Sequence, residues 1–526
     1  MGYMIKKNSI SLKILFSILL VFLYFFSRLS NLTSIPVFCD EAIYIRWAQI
    51  IQSEETLRFV PLTDGKQPLF MWLNAITLKL FSDPLVAGRI ISVFSGFGIA
   101  ILISLTAVVI ISFQDKEKKP LLFLKNNIYK HYSLLLFVFF VYCLIPFTFF
   151  FDRLALADNL LSFFGVLSLF LSLLLSKYPN FNLSLLLGFS LGFAWLTKSP
   201  AVYFIVLSFL NFIVLNFKKI KLYIYPLIST LISFFVYNIL RLGPQFHQIA
   251  LRNKDYVWSI SEILKHPLDP LKPHLVNALE IYLQYLSWPV LIIFFFGLIY
   301  VIFKKRTYQI QNTKYLPVGK QGLILFAWWL LPLIANSALA KVFTARYILF
   351  TLPPLLILIS IIIYNLVVKI KNNLFKIIFI LLVFSINTIF IYNLSTNPFS
   401  QKLPSSETGY LNGWTSGWGI KDSFDYLKLR SLDSNVIVGT EGSFGTLPNG
   451  LQIYANKINQ FTIIGQGLGF ATLPQNLLEA FEYGDEVYLL INQSRFNTVS
   501  LEQSGLKLIK SFEKPDSDKL LLYQLD

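Results

Sequence analysis

The stretch "ILFSILLVFLYFFSRLSNLTSIPVFCDEAIYIRWAQI" (Ile14–Ile50) sets the reading of the whole chain. Its first half is a nearly continuous apolar run, with Lys13 before it and Arg28 near its end. About 20 such residues, rising about 1.5 Å each, cross a hydrocarbon core roughly 30 Å thick. The second half places two adjacent carboxylates, Asp40 and Glu41, directly after an apolar Pro-Val-Phe-Cys. Beyond them Ala42, Ile43, Ile45, Trp47 and Ile50 interleave with polar residues, the pattern of an amphipathic helix lying in the membrane interface. An acidic pair at the far edge of a first membrane crossing calls for a chemical reason.

The rest of the 526-residue chain extends the same pattern: 55% of its residues are hydrophobic, 14% are charged and 51 are Phe. Soluble domains carry about 25% charged residues, so the composition is that of a polytopic membrane protein. Eleven apolar runs of crossing length are expected, at 12–29, 90–112, 132–151, 159–176, 181–197, 199–217, 222–240, 281–303, 321–338, 347–368 and 377–394. The first is read as a retained helix and not as a signal peptide, because no clean small-residue cleavage site follows it. The net charge of +17 does not point to nucleic acid. Its cations crowd alternate loops: Lys116 to Lys130, Lys218 to Lys221, Lys304 to Lys320 with Lys314 among them, and Lys369 to Lys376. Alternating basic loops mark the cytoplasmic side. The N-terminus is therefore expected in the cytoplasm, and everything after about 395 outside it, in a multi-pass plasma-membrane protein. Two cysteines, Cys39 and Cys143, give neither a disulfide framework nor a metal spacing.

The outer loops collect the acids. The first, about 30–89, holds "DEAIYIRWAQIIQS" and "QPLFMWLNAITLKLF", both read as interfacial amphipathic segments. After about 395 the chain turns rich in Ser, Gly and Pro, then alternates a helical "KDSFDYLKLR" with strand-like "NVIVGT", "LQIYAN", "FTIIG", "EVYLLIN", "LKLIKSF" and "KLLLYQL". Two domains follow: a transmembrane unit over 1–394 and a small extracytoplasmic α/β domain over 395–526.

Several charges stand at the outer ends of apolar runs: Asp152, Arg153 and Asp158 in "FFFDRLALADNLLSFF", Lys198 in "GFAWLTKSPAVYF", and Lys341 and Arg346 in "LAKVFTARYILF". A single Lys or Arg at a helix end usually anchors the helix at the interface. Four cations beside four carboxylates on one face instead suggest a site at the outer membrane boundary, since charge at membrane depth is costly and tends to mark function.

"CDEAIY", "GKQPLFMWL", "DRLALADNLLSFF", "GFAWLTKSP" and "ARYILFTLPPL", in this order relative to the helices, resemble the polyprenyl-phosphate-sugar glycosyltransferases of the GT-C fold. The nearest branches are the protein O-mannosyltransferases and the lipid A aminoarabinose transferases. The resemblance covers roughly residues 10–370 and leaves the tail aside. It implies a GT-C-like bundle of about eleven transmembrane helices. It implies Asp40 as catalytic base, with Glu41 beside it orienting the loop or the acceptor. Lys66 stands at the position of the lysine of the family's K-P-P motif, near the sugar or phosphate. Arg153 and Asp158 match the R-x-A-L-x-D segment. Lys198 and Arg346 match positions that contact the lipid-linked phosphate, with Tyr44 and Tyr347 as companions. The chain departs from the aminoarabinose branch at Ala42 and Ile43, where Thr and Arg are usual, at Gln67, which replaces the first Pro, and at Gly65, where that branch has a Glu that is a metal ligand in some relatives. These departures argue against aminoarabinose specificity and leave a divalent metal thinly supported. His266 and His274, without suitably spaced acids or thiols, read as loop histidines.

The acidic pair then has its reason. An acceptor hydroxyl attacking a sugar on a membrane lipid phosphate needs a base within hydrogen-bond reach, and the departing phosphate needs cations. One base opposite the leaving group implies inversion at the sugar carbon. The expected partners are a polyprenyl-phosphate-linked sugar, a glycan, lipid or protein acceptor, and membrane lipid. Among the uses this allows are protein glycosylation and lipopolysaccharide modification in the cell envelope. Two alternatives differ in class: a lipid or polysaccharide transporter, which would place its ionisable residues near the midplane, and an inactive glycan-binding relative. Trp414, Trp418 and Tyr410 of the tail are candidates to stack on sugar rings.

Overall fold

A computed structural model describes residues 2–307, 319–456, 458–470, 472–496 and 505–526; Lys314 of the third basic loop lies outside the described residues. The chain opens with α1 (Gly2–Leu29), α2 (Cys39–Ser53), α3 (Leu69–Thr77) and α4 (Pro84–Ile111). Asp83 starts α4 by accepting the N–H groups of Leu85 and Val86, and Pro84 sits where its missing N–H costs nothing. Then come α5 (Pro120–Lys130), α6 (Tyr132–Leu144), α7 (Pro146–Asp152), α8 (Ala157–Lys177), α9 (Phe181–Thr197), α10 (Val202–Asn216), α11 (Ile224–Tyr237), α12 (Gln248–Tyr256) and α13 (Ile260–Lys265). The bundle closes with α14 (Leu271–Leu286), α15 (Trp288–Thr307), α16 (Lys320–Leu339), α17 (Leu352–Lys369) and α18 (Asn373–Thr396).

Among the described residues, seven helices are long and apolar enough to cross a membrane, or up to nine if the bent pairs α5–α6 and α14–α15 each count as one span. The two further expected crossings fall on α1 and on the 17-residue α9. The chain is a multi-pass membrane protein. Two expected runs are interrupted. The run over 132–151 breaks at Ile145, which Pro146 forces into an extended conformation. The run over 281–303 breaks at Ser287, whose φ of 71° turns the chain between α14 and α15, 109° apart.

Helices α4, α8 and α17 are the most enclosed, and α11 and α18 the least. Where helices converge, buried charges are paired. Arg28 Nε donates to Asp152 Oδ2 at 3.2 Å, and Asp152 also accepts from Tyr142 Oη at 3.0 Å and Asn159 Nδ2 at 2.9 Å. Both members of the pair are fully buried. This network joins α1, α6, α7 and α8. At the opposite end Lys177 Nζ donates to the carbonyls of Phe113 and Asp115, so the basic loop after α4 meets the end of α8.

The tail builds a five-stranded sheet in the order β2-β1-β3-β5-β4, from β1 (Val436–Thr440), β2 (Phe461–Gly465), β3 (Glu486–Asn492), β4 (Leu506–Glu513) and β5 (Lys519–Leu525). β1 pairs in parallel with β2 and β3, and β5 runs antiparallel to β3 and β4. Helices α19 (Ile420–Arg430), α20 (Asn449–Ala455) and α21 (Gln475–Glu482) accompany it. "LQIYAN", read as a strand, is helical in α20. Short apolar runs are ambiguous by pattern alone, and here packing against α2 decides: Gln49 Nε2 donates to the Ile453 carbonyl at 2.7 Å. For the same reason α2 is not the free interfacial helix expected. The residues from Glu41 to Gln49, Arg46 excepted, are buried.

Candidate active site

The sheet domain packs on the bundle end that carries α2, and a cavity of about 350 Å³ lies there. Asp40 enters it from the first turn of α2, where the positive end of the helix favours an anion. Arg346 enters from the short 3₁₀ turn Ala345–Tyr347 before α17, and its Nη1 donates to Asp40 Oδ2. Lys198 enters from the C-cap of α9, in an extended conformation that Pro200 two residues on helps to impose by ending the helix. Its Nζ donates to Asp158 Oδ1 at 2.6 Å and stands 4.9 Å from the centre of the Tyr347 ring. Lys66 follows Gly65, whose φ of +68° suits glycine and whose missing side chain leaves room for Arg252 of α12. Lys66 Nζ donates to Tyr256 Oη at 2.9 Å, and no described carboxylate lies within ion-pair distance of it.

The electrostatics of the pocket are polarised. Burial pushes the Asp40 carboxyl up, but Arg346, with help from Lys66 and Lys198, overrides it and holds the group below the usual aspartate range. Burial lowers Lys66, yet Tyr256 and Asp40 leave it raised overall. Burial raises Tyr44 well above its ordinary value, so it stays a phenol. The Cys39 thiol is pushed up to about 11, mainly by burial, which removes it as a nucleophile at neutral pH. The lining also includes apolar Val202, Val257, Leu339 and Val342, of which Val202, Val257 and Val342 are exposed.

Asp40, Tyr44, Lys66, Lys198, Arg346 and Tyr347 therefore share one cavity. Asp158 stands behind it, holding Lys198. Glu41 is not in it. Its fully buried carboxylate takes two 2.8 Å bonds from Arg89, one at 2.6 Å from the Ala155 N–H and one at 3.0 Å from the Phe38 N–H. Neighbours on a helix point about 100° apart: Asp40 faces the cavity and Glu41 the bundle. Arg153 is not there either. It is buried against the end of α1, donating to the carbonyls of Ser27, Arg28, Ser30 and Asn31. Lys341 donates to the Lys254 carbonyl and covers Trp258, an anchor at the rim.

Sequence reasoning missed α12, which supplies Arg252, Asn253 and Tyr256. Arg252 bridges Asp64 and Asp255. The signal was a charged cluster, "LRNKDY", in an apolar chain. Asn336 was also missed: it accepts from Tyr203 Oη and donates to the Tyr347 carbonyl at 2.8 Å, fixing the turn that carries Arg346. His274 stacks on Phe343 and His266 pairs with exposed Asp269; among the described residues no three His, Cys, Asp or Glu gather as a metal group. Of the tail aromatics, Tyr410 is buried on Phe38, Trp418 donates to the Leu411 carbonyl, and half-exposed Trp414 is stacked under Arg495.

No family model matches the sequence, and no curated protein matches it. Two solved structures resemble it nearly end to end. One is ArnT from Cupriavidus metallidurans in the apo state, with a TM-score of 0.56 and 12% identity over 99% of this chain and 98% of that one. The other is the same protein bound to undecaprenyl phosphate, with a TM-score of 0.55 and 12% identity over 98% of each chain. Identity this low speaks for the fold alone. The architecture is the GT-C-like one expected: a polytopic helical bundle with a small α/β domain at its C-terminus.

Proposed function

We propose that this chain is an integral-membrane glycosyltransferase that moves a sugar from a polyprenyl-phosphate donor to an acceptor hydroxyl, with inversion. The observation that carries it is that Asp40, Lys66, Lys198 and Arg346 line one cavity together with apolar residues. Such a cavity suits an amphiphile with an anionic head. That one solved ArnT structure holds undecaprenyl phosphate accords with this ligand class. A transporter is less consistent with charges gathered at one end of the bundle.

The steps follow from the geometry. The donor phosphate takes the free charge of Lys66 and competes with Asp40 for Arg346, whose planar fork suits phosphate oxygens. Losing Arg346, Asp40 becomes more basic just when the donor is in place. Asp40 then accepts the acceptor's hydroxyl proton as the acceptor oxygen bonds to the anomeric carbon. The carbon–oxygen bond to phosphate breaks, and polyprenyl phosphate leaves as an anion beside Lys66, Lys198 and Arg346. Glu41 and Arg153 serve the scaffold, and Asp158 aligns Lys198. Residues 1–394 form the catalytic unit and 395–526 its extracytoplasmic domain, with the cavity outside the cytoplasm, a placement that the alternation of basic loops supports.

The test is to incubate purified protein in nanodiscs with a panel of polyprenyl-phosphate sugars and assay transfer or hydrolysis, reading the product anomer by NMR. Release of sugar of inverted configuration from at least one donor supports the proposal. Retention of configuration, or no turnover of any donor, counts against it.

A further inference from the structure

Residues 405–416 of the tail form a strap that holds the residues just before each half of the Asp40–Arg346 pair. Its start is fixed on α14, where Glu280 accepts from the Ser405 N–H at 2.9 Å and from Ser405 Oγ at 2.7 Å. Its end is fixed on the sheet domain: buried Lys514 donates to the carbonyls of Gly413 and Ser416 and to Asn492, and Asp516 accepts from the Gly413 N–H at 2.8 Å. Between these anchors the strap touches the site twice. At α2 the Cys39 N–H donates to the Thr415 carbonyl at 3.0 Å, Phe38 bridges to Ser416, and the Tyr410 ring lies 4.2 Å from that of Phe38. Asp40 is the next residue. At the other half Glu407 reaches into the bundle, and its Oε1 accepts from the Ala345 N–H at 2.7 Å. Arg346 is the next residue.

Glu407 is 1% exposed, and among the described residues its second oxygen, Oε2, has no hydrogen-bond partner. A buried carboxylate of this kind is costly to keep; besides the Ser406 hydroxyl next to it in the strap, its partner is the Ala345 N–H of the helical bundle. The charged and titratable groups that face it are Arg346, Asp158, Tyr285 and Tyr410. It does not line the cavity.

We propose that Glu407 is a positioning residue: by holding the Ala345 N–H it sets the turn that aims Arg346, while the same strap sets the start of α2 that aims Asp40. The tail domain is thus part of the site's alignment and not only a cover. This rests on the reading of Arg346 as a phosphate ligand.

The test measures binding of undecaprenyl phosphate to the full chain in nanodiscs, with melting temperatures alongside. The variants are Glu407→Ala, Glu407→Gln, Arg346→Ala and the double variant Glu407→Ala/Arg346→Ala. Glu407→Ala weakens binding about tenfold, the size of one lost charge-assisted hydrogen bond. Glu407→Gln, whose amide oxygen can take the same bond, stays within about threefold of the native chain. In the Arg346→Ala background, Glu407→Ala adds no further loss. If Glu407→Ala does not fold, Glu407→Asp replaces it, because it keeps the charge and withdraws the acceptor by one methylene. Native binding by folded Glu407→Ala or Glu407→Asp overturns the positioning role alone. So do losses that multiply in the double variant, which mark a general structural effect. Native binding by Arg346→Ala overturns the phosphate reading itself, and the positioning role with it.

Discussion

Replacing Asp40 by Asn should tighten the binding of polyprenyl phosphate. Arg346 is tied to Asp40, so a donor phosphate must break that pair and then sit beside a carboxylate. A phosphate about 6 Å from Asp40 is repelled by about 3 kcal/mol at an effective dielectric of about 20. The Asp40 side chain is 26% exposed, and water reaching it trims the repulsion to roughly 1–2 kcal/mol. The asparagine side chain removes the charge and frees the guanidinium while keeping the shape, so Kd for undecaprenyl phosphate should fall about tenfold. Titration in nanodiscs at about 0.15 M salt, where surface effects are damped, reads this directly. The double variant Asp40→Asn/Arg346→Ala should lose the gain. Unchanged or weaker binding by a folded Asp40→Asn chain would refute the competition for Arg346.

Arg89→Ala should cost about 3–5 kcal/mol of stability, because it strands the buried Glu41 carboxylate; a melting curve near that of the native chain would contradict the scaffold role of Glu41. Burial holds the Glu407 carboxyl up at about 7 against an ordinary 4.5. A raised carboxyl favours the folded state below its unfolded pKa, and that contribution is lost as pH rises through the folded one. About 3 kcal/mol of stability should therefore disappear between roughly pH 4.5 and 7, and Glu407→Gln should flatten that part of the stability profile. For topology, a cysteine at Lys118 should react with a membrane-impermeant thiol reagent only after permeabilisation, and one at Leu432, 72% exposed in the tail, in intact cells; the reverse pattern would invert the orientation.

The transmembrane organisation was legible because apolar length is a one-dimensional property. The breaks were less so. Pro146 announces one of them, whereas Ser287 takes a positive φ that no local rule demands. That Asp40, Lys198 and Arg346 reach one cavity was foreshadowed by their place at the edges of apolar runs, whereas Lys66, in a loop, was indicated by the family resemblance alone. Which charges turn inward was not foreshadowed: Glu41 stands beside Asp40, and Asp152 and Arg153 stand among the same helix-end charges, yet packing against α1 and α4 commits all three to the interior. The share of α12 depends on a loop folding back over Gly65, and the hold of Glu407 on Ala345 spans 62 residues. Contacts of that range leave no periodic trace in a sequence.

The most direct test of the central claim is turnover by Asp40→Asn on the polyprenyl-phosphate sugar that the native chain uses best. A loss of roughly 100- to 10,000-fold in the chemical step is expected, as for a missing general base, in a protein that still binds undecaprenyl phosphate. Near-native turnover by that variant would contradict the base role of Asp40.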